Sequence, residues 1–333
     1  MEAPISPPSD LPMTTPHADL APVAAAAARV HDALGQVLVG QGDRIELLLA
    51  ALLADGHVLI EGVPGVAKTL TARLLARVLD VSFARIQFTP DLMPSDVTGT
   101  SVFNPQDAAF SFRPGPIFAH LVLIDEINRA PAKTQAALFE VMEERQVTVD
   151  GTTHPLAPPF MVVATQNPLE HEGTYRLPEA QLDRFLFKIV VGFPSLDEEV
   201  EILERHERGN LMLAVNDVPR VLTAEALAEL RAAARAVHAE PVLRTYIAQI
   251  VQETRRHPAL DLGGSPRASV GILMAGKALA ALRGRDFLIP DDVQAVAAPV
   301  LRHRIRLTPD QEMDGKTPDD VIADVLQRVA VPR

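Results

Sequence analysis

From His57 onward, short apolar runs alternate with longer helical patterns. Val58–Leu59–Ile60 is bounded by glycine and reads as a buried strand. So do Ala84–Phe88, Leu121–Ile124, Phe160–Ala164 and Phe187–Val191. Continuous apolar runs of this length suit strands covered on both faces. Helical spacing lies between most of them, over Thr69 to Leu79 and over Ala132 to Glu144, where Ala137, Leu138, Val141 and Met142 share one face. This alternation predicts an α/β fold with a parallel sheet and helices on both faces. Upstream, the alanine run Ala24–Ala28 leads into a helix, because alanine has the highest helix propensity. Gly40–Gln41–Gly42 interrupts the pattern, and Ile45 to Ala54 forms a second helix.

After Phe193 the strand pattern stops. Pro194–Ser195 followed by Glu198 is a capping box, and Thr223 caps a helix with Leu227, Leu230, Ala234 and Val237 on one stripe. Ser265–Pro266 opens another, with Val270, Leu273, Met274, Ala278, Ala281 and Leu282 at helical spacing. Pro290–Asp291–Asp292 opens a further one. The second half is therefore expected to be all-helical, with a domain boundary near Pro194. Residues 1–18, rich in Pro, Ser and Thr, are expected to form a disordered tail.

Two insertions interrupt the first half. Ser101–Val102–Phe103, a turn at Asn104–Pro105, and Phe110–Ser111–Phe112 read as a hairpin within Thr98 to Pro114. Gln146 to Leu156 reads as a second, with Asp150–Gly151 as its turn. Their spacing fits a decorative role as well as a functional one.

Composition narrows the classes. The 333 residues allow two domains, and the absence of cysteine removes disulfide frameworks and thiolate metal sites. Ten histidines show no ligand-like cluster on one helix, so no structural metal is expected. A net charge of -12 argues against general adhesion to nucleic acid or anionic membrane, though a local basic channel in an assembly stays open. Met1 to Ala18 has no signal-peptide pattern, and no apolar stretch reaches the ~18 residues of a membrane span.

The chemistry concentrates in two places. Gly62–Val63–Pro64–Gly65–Val66–Ala67–Lys68–Thr69 follows a predicted strand and opens a predicted helix. Free N–H groups and the positive dipole end at a helix start suit phosphate. Gly62 and Gly65 would let the backbone curl around phosphates, Lys68 would reach the β- and γ-phosphates, and Thr69 would place its hydroxyl on Mg. Ala67 occupies the position where glycine usually precedes the lysine, which is tolerable at negative φ. Downstream, the apolar strand Leu121–Ile124 ends in Asp125–Glu126. Carboxylates at that end of a parallel strand face the ligand crevice. Asp125 would hold Mg through water, and Glu126 would act as general base on the attacking water. Past the next strand, Asn167 could bond the γ-phosphate or that water, or could simply begin an Asn-Pro turn.

These motifs, taken with Ile124–Asp125–Glu126–Ile127–Asn128–Arg129, Ala164–Thr165–Gln166–Asn167–Pro168, Leu182–Asp183–Arg184–Phe185 and Ser265–Pro266–Arg267, resemble the MoxR family of AAA+ ATPases from about Val39 to Leu307. The segments Arg85–Gly99 and Phe112–Gly151 are particularly similar, and Ala67 is seen in that family. The resemblance implies a P-loop AAA+ domain over residues 19–193 and an all-α lid over 194–333. It implies that residues Gly62 to Leu70 and Asp125 bind ATP with Mg. It implies Asn167 as sensor 1, Arg184 as an arginine finger reaching a neighbouring subunit's ATP, and Arg267 as sensor 2 touching the γ-phosphate. A guanidinium stabilises charge on a transferring phosphoryl group, and supplying it in trans couples hydrolysis to assembly. Arg129 and Arg176 are further candidates for a subunit boundary, while Glu140, Glu143 and Glu144 read as a solvated helix face.

Proteins similar to this one form hexameric rings in the cytoplasm and act like chaperones on other protein complexes, commonly with a von Willebrand factor A domain partner. Two AAA+ alternatives are a nucleic-acid motor and the ATPase subunit of a metal chelatase. Acidic balance and few aromatics weigh against the first.

Overall fold

The computed structural model describes residues 19–63, 67–106, 108–167, 175, 177–207 and 217–332. The expected tail over 1–18 lies outside the described residues, as do Pro64, Gly65, Val66 and Arg176. Two helices open the described chain, α1 (Ala21–Gly35) and α2 (Gly42–Leu53). Then follow β1 (His57–Gly62), α3 (Lys68–Val78), β2 (Phe83–Gln87), α4 (Pro94–Thr98), β3 (Gly99–Asn104) and β4 (Ala109–Pro114). Next come β5 (Leu121–Asp125), α5 (Ala132–Glu144), β6 (Gln146–Val149), β7 (Thr152–Pro155), β8 (Met161–Gln166), α6 (Glu179–Leu182) and β9 (Phe185–Val191).

Five strands form one parallel sheet in the order β2-β5-β8-β1-β9. The two-residue alternation of side chains divides its core between the faces. Val58, Ile60, Leu121, Leu123, Val163 and Ile189 join a cluster with α1, α2 and α3. Leu59, Val122, Ile124, Val162 and Ala164 join a second cluster with Leu138, Phe139 and Met142 of α5. Each face thus needs its own helical cover, which is why the central strands read as unbroken apolar runs.

Both predicted hairpins form, β3 with β4 and β6 with β7. Asp150 and Gly151 both have positive φ, at 50° and 77°, as a two-residue hairpin turn with the twist of its strands requires.

The remainder is largely helical: α7 (Leu196–Glu207), α8 (Ala224–Ala236), α9 (Pro241–Arg256), β10 (Leu260–Leu262), α10 (Pro266–Leu282), α11 (Pro290–Leu301), β11 (Arg306–Leu307), α12 (Pro309–Met313) and α13 (Pro318–Arg328). The caps act as the sequence suggests. Thr223 accepts from the Ala226 N–H, and Ser265 from the Arg267 N–H. The expectation of an all-helical second half needs one correction, because β10 and β11 pair antiparallel. Their runs are too short to carry a periodic signal, and they close a distant connection across two helices.

Candidate active site

The described part of the phosphate loop lies between β1 and α3, at the C-terminal edge of the sheet. Lys68 Nζ donates to Gly62 O at 2.6 Å and reaches Gln166 O at 3.5 Å, so the lysine spans the ends of β1 and β8. Two details differ from expectation. Gly62 is needed for close packing, since a Cβ there would lie 2.7 Å from Val191 O of the neighbouring strand. Ala67 has φ +57° and ψ +22°, in the left-handed region, where a negative φ was expected. The chain must turn sharply from loop to helix at the residue that caps α3, and an alanine held there carries steric strain of roughly 1–2 kcal/mol.

Asp125 ends β5 and is buried. Thr165 Oγ1 donates to one carboxylate oxygen at 3.1 Å, and Arg85 Nε donates to the other at 2.6 Å. The Thr69 hydroxyl approaches both oxygens, at 3.3 and 3.5 Å. A hydroxyl and a carboxylate converging beside a lysine form a hard-oxygen donor set that fits Mg with phosphates.

Glu126 adopts φ +58° and ψ +52°, an uncommon conformation for a residue with a side chain. Such strain persists where the surroundings over-determine it. Here the Glu126 N–H donates to Thr165 Oγ1 at 3.0 Å, and the carboxylate accepts from Gln87 Nε2 at 2.7 Å and Arg129 Nη1 at 2.8 Å on the same oxygen. Thr165 therefore ties both acids to β8. Asn167, also buried, follows directly after β8 at the same edge. A small recess lined by Gln41, Arg44, Leu48, Thr71, Ile189 and Val191 adjoins Lys68. Arg85, Gln87, Thr165 and this recess were not singled out from the sequence. Their signal is only their place at strand ends beside the two motifs.

Arg184 and Arg267 are brought together elsewhere. Glu143, near the end of α5, accepts from Arg267 Nη2 at 2.8 Å and pairs with Arg184 Nε at 3.5 Å. Glu143 is exposed, as a solvated helix face requires, and its carboxylate also bridges two guanidiniums, because the end of α5 returns to the N-terminal edge of the sheet. Arg184 immediately precedes β9, whose first residue, Phe185, pairs with His57. The length of β1, six residues, separates this edge from the phosphate loop. At about 3.3 Å per residue the two edges stand roughly 17–20 Å apart.

His57 fixes the end of α5 near Glu143. Its Nδ1 accepts from the Val162 N–H at 3.0 Å, and its Nε2 donates to Met142 O at 3.2 Å. Burial, with Arg145 adding to it, pushes the His57 pKa down to about 3. The ring is therefore neutral and joins β1, β8 and α5.

Sheet order, phosphate loop, paired acids and helical tail together define a P-loop ATPase of the AAA+ class. The model of the ATPase family associated with various cellular activities (AAA) matches residues 57–187, and that of the AAA lid domain matches residues 252–325. Chaperone MoxR1 of Mycobacterium tuberculosis is 47% identical over 90% of this chain and 80% of its own length. The YeaC protein of Bacillus subtilis is 48% identical over 90% of this chain and 92% of its own. A crystal structure of a candidate ATPase from Cytophaga hutchinsonii superposes with a TM-score of 0.85 at 38% identity, covering 94% of this chain and 97% of that one. The chain belongs to the MoxR family of AAA+ ATPases. As such it binds nucleotide and hydrolyses ATP. No described helix is long and apolar enough to cross a membrane.

Proposed function

We propose that this protein hydrolyses Mg-ATP at sites shared between neighbouring copies in a ring, most simply a hexamer, and uses the cycle to remodel partner protein complexes in the cytoplasm. The observation that carries this reading is the separation of Arg184 and Arg267 from Lys68, Asp125 and Glu126 by the length of the sheet. Neither arginine can serve its own subunit's phosphates across that span, but a neighbour's phosphates can meet both.

In this reading residues 19–193 are the nucleotide-binding unit, residues 194–333 the lid, and residues 1–18 a tail. Gly62 to Leu70 hold the phosphates, and Thr69 and Asp125 hold Mg. The metal, when bound, neutralises charge on the phosphate oxygens. Glu126 takes the proton of the attacking water. Gln87 and Arg129 fix the carboxylate that does so, and Asn167 orients the water or the γ-phosphate. The neighbour's Arg184 and Arg267 replace Glu143 with phosphoryl oxygens and stabilise the charge that develops there.

Likeness to a protein named as a chaperone supports a client that is itself a protein. A von Willebrand factor A domain co-partner is what the family resemblance implies. The β3–β4 hairpin suits the client-facing role, since the Phe103 and Phe110 rings lie 5.3 Å apart, tilted at 57°, near its tip and are both exposed. Steady-state ATP turnover measured across a dilution series, with particle mass followed by sedimentation, tests the ring. Turnover per subunit should fall as the oligomer dissociates. Constant turnover per subunit through dissociation would refute a shared site.

A further inference from the structure

β9 is one of the two edge strands of the sheet, and three consecutive residues after α11 bond to its backbone. Arg302 Nη1 donates to Lys188 O at 3.1 Å, and His303 Nε2 donates to Phe185 O at 2.9 Å. Arg304 donates to Asp183 O at 3.0 Å, Phe185 O at 2.6 Å and Leu186 O at 3.1 Å. Its Nε also pairs with the Asp183 carboxylate at 2.6 Å. The other Asp183 oxygen accepts from Ser265 Oγ at 3.1 Å, and Ser265 in turn caps α10 by accepting from the Arg267 N–H at 3.2 Å.

One guanidinium therefore holds the carbonyls on both sides of Arg184, and its acid partner holds the residue that sets the start of α10. Blunting an edge strand needs only an exposed charge. The Arg304 side chain is instead 4% exposed. A buried ion pair is a weak source of stability, and well-packed apolar residues serve as well for that alone. What the Asp183–Arg304 pair supplies beyond stability is fixed geometry around Arg184 and Arg267.

We propose that Arg304 and Asp183 are positioning residues for the arginine pair. They set the angle at which one subunit's Arg184 and Arg267 meet the next subunit's nucleotide, and they bind that angle to the orientation of the helical region. This inference rests on the shared-site reading above.

Mixed full-length chains test it. Glu126→Gln lacks a working site of its own but keeps its arginines, while Arg184→Ala keeps the site and lacks the arginine. The mixture should turn over ATP although neither parent does so alone. Arg304→Lys is then introduced into one parent at a time. In the Glu126→Gln chain, which supplies the arginines, it should lower the turnover of the mixture on the order of ten- to a hundredfold. In the Arg184→Ala chain it should leave turnover within about twofold of the parent mixture, because misplacement there touches no reacting group. Asp183→Asn, a smaller change that keeps the side chain's shape, should repeat the asymmetry and carries the test if Arg304→Lys does not fold. Equal losses from both placements, loss only in the Arg184→Ala chain, or no loss at all overturns the positioning role. A parent mixture that stays inactive overturns the shared site itself, and the positioning role with it.

Discussion

Acidification tests how His57 holds the two halves of the site in register. The ring is 4% exposed and bonded on both nitrogens, and its pKa in the folded protein is about 3 against an ordinary 6.5. Between those values the unfolded chain takes up a proton that the folded chain refuses. The His57 contribution is therefore intact above about pH 6.5, declines as pH falls, and stops declining near pH 3. At about pH 5.5 an unfolded histidine is mostly protonated, which favours unfolding by about 1.4 kcal/mol, against about 0.2 kcal/mol at pH 7. His57 alone should thus remove about 1.2 kcal/mol between those two conditions. Burial also drives the His303 pKa well below its ordinary value, so it adds a loss of the same sign. Urea unfolding of wild type and His57→Gln at both pH values isolates the effect. The variant should be less stable at pH 7 by roughly 1–3 kcal/mol, because one of the Val162 N–H and Met142 O groups is left without its partner. Its further loss on acidification should be smaller than that of wild type by about 1.2 kcal/mol. An equal acid loss in both proteins would show that His57 accepts its proton in the folded state, and the locked neutral ring would have to be abandoned.

Glu126→Gln should keep ATP affinity near wild type while turnover falls by a factor on the order of 10² to 10⁴, and a fluorescent-nucleotide titration beside a phosphate-release assay reads both. Loss of binding with loss of turnover would give Glu126 a structural role instead. Ala67→Gly should raise stability by roughly 0.5–1 kcal/mol, the relief of left-handed strain less the added freedom of the unfolded chain. A lower melting temperature would contradict the left-handed turn at the start of α3.

Much of this molecule was legible in its sequence because the relevant signals are local. Apolar runs such as Leu121–Ile124 mark two-sided strands, Asp150–Gly151 marks a turn, and Thr223 and Ser265 mark helix starts. The phosphate loop and the Asp125–Glu126 pair are each contiguous, so one strand end displays each motif. What stayed hidden depends on distant segments meeting. Nothing in Ala132–Glu144 says that Glu143 meets Arg184 and Arg267, because that contact depends on the length of α5 against the length of the sheet. Nothing in the Arg302–Arg304 segment marks its role, because the carbonyls it bonds belong to a strand more than a hundred residues away. Gly62 resembles a loop glycine, yet its missing Cβ is required by Val191 of the adjacent strand. Ala67 shows the limit of local reasoning, for its left-handed φ leaves no mark in the sequence.

The shared active site is the central claim, and Arg184→Ala tests it most directly. ATP affinity and maximal turnover should be measured for this variant and for wild type at a concentration where sedimentation shows both fully assembled. The account predicts near-wild-type affinity with turnover reduced on the order of 10³-fold or more, as for an arginine supplied in trans to a phosphoryl-transfer site. Normal turnover in the assembled variant would contradict it, and would leave each subunit with a self-contained site.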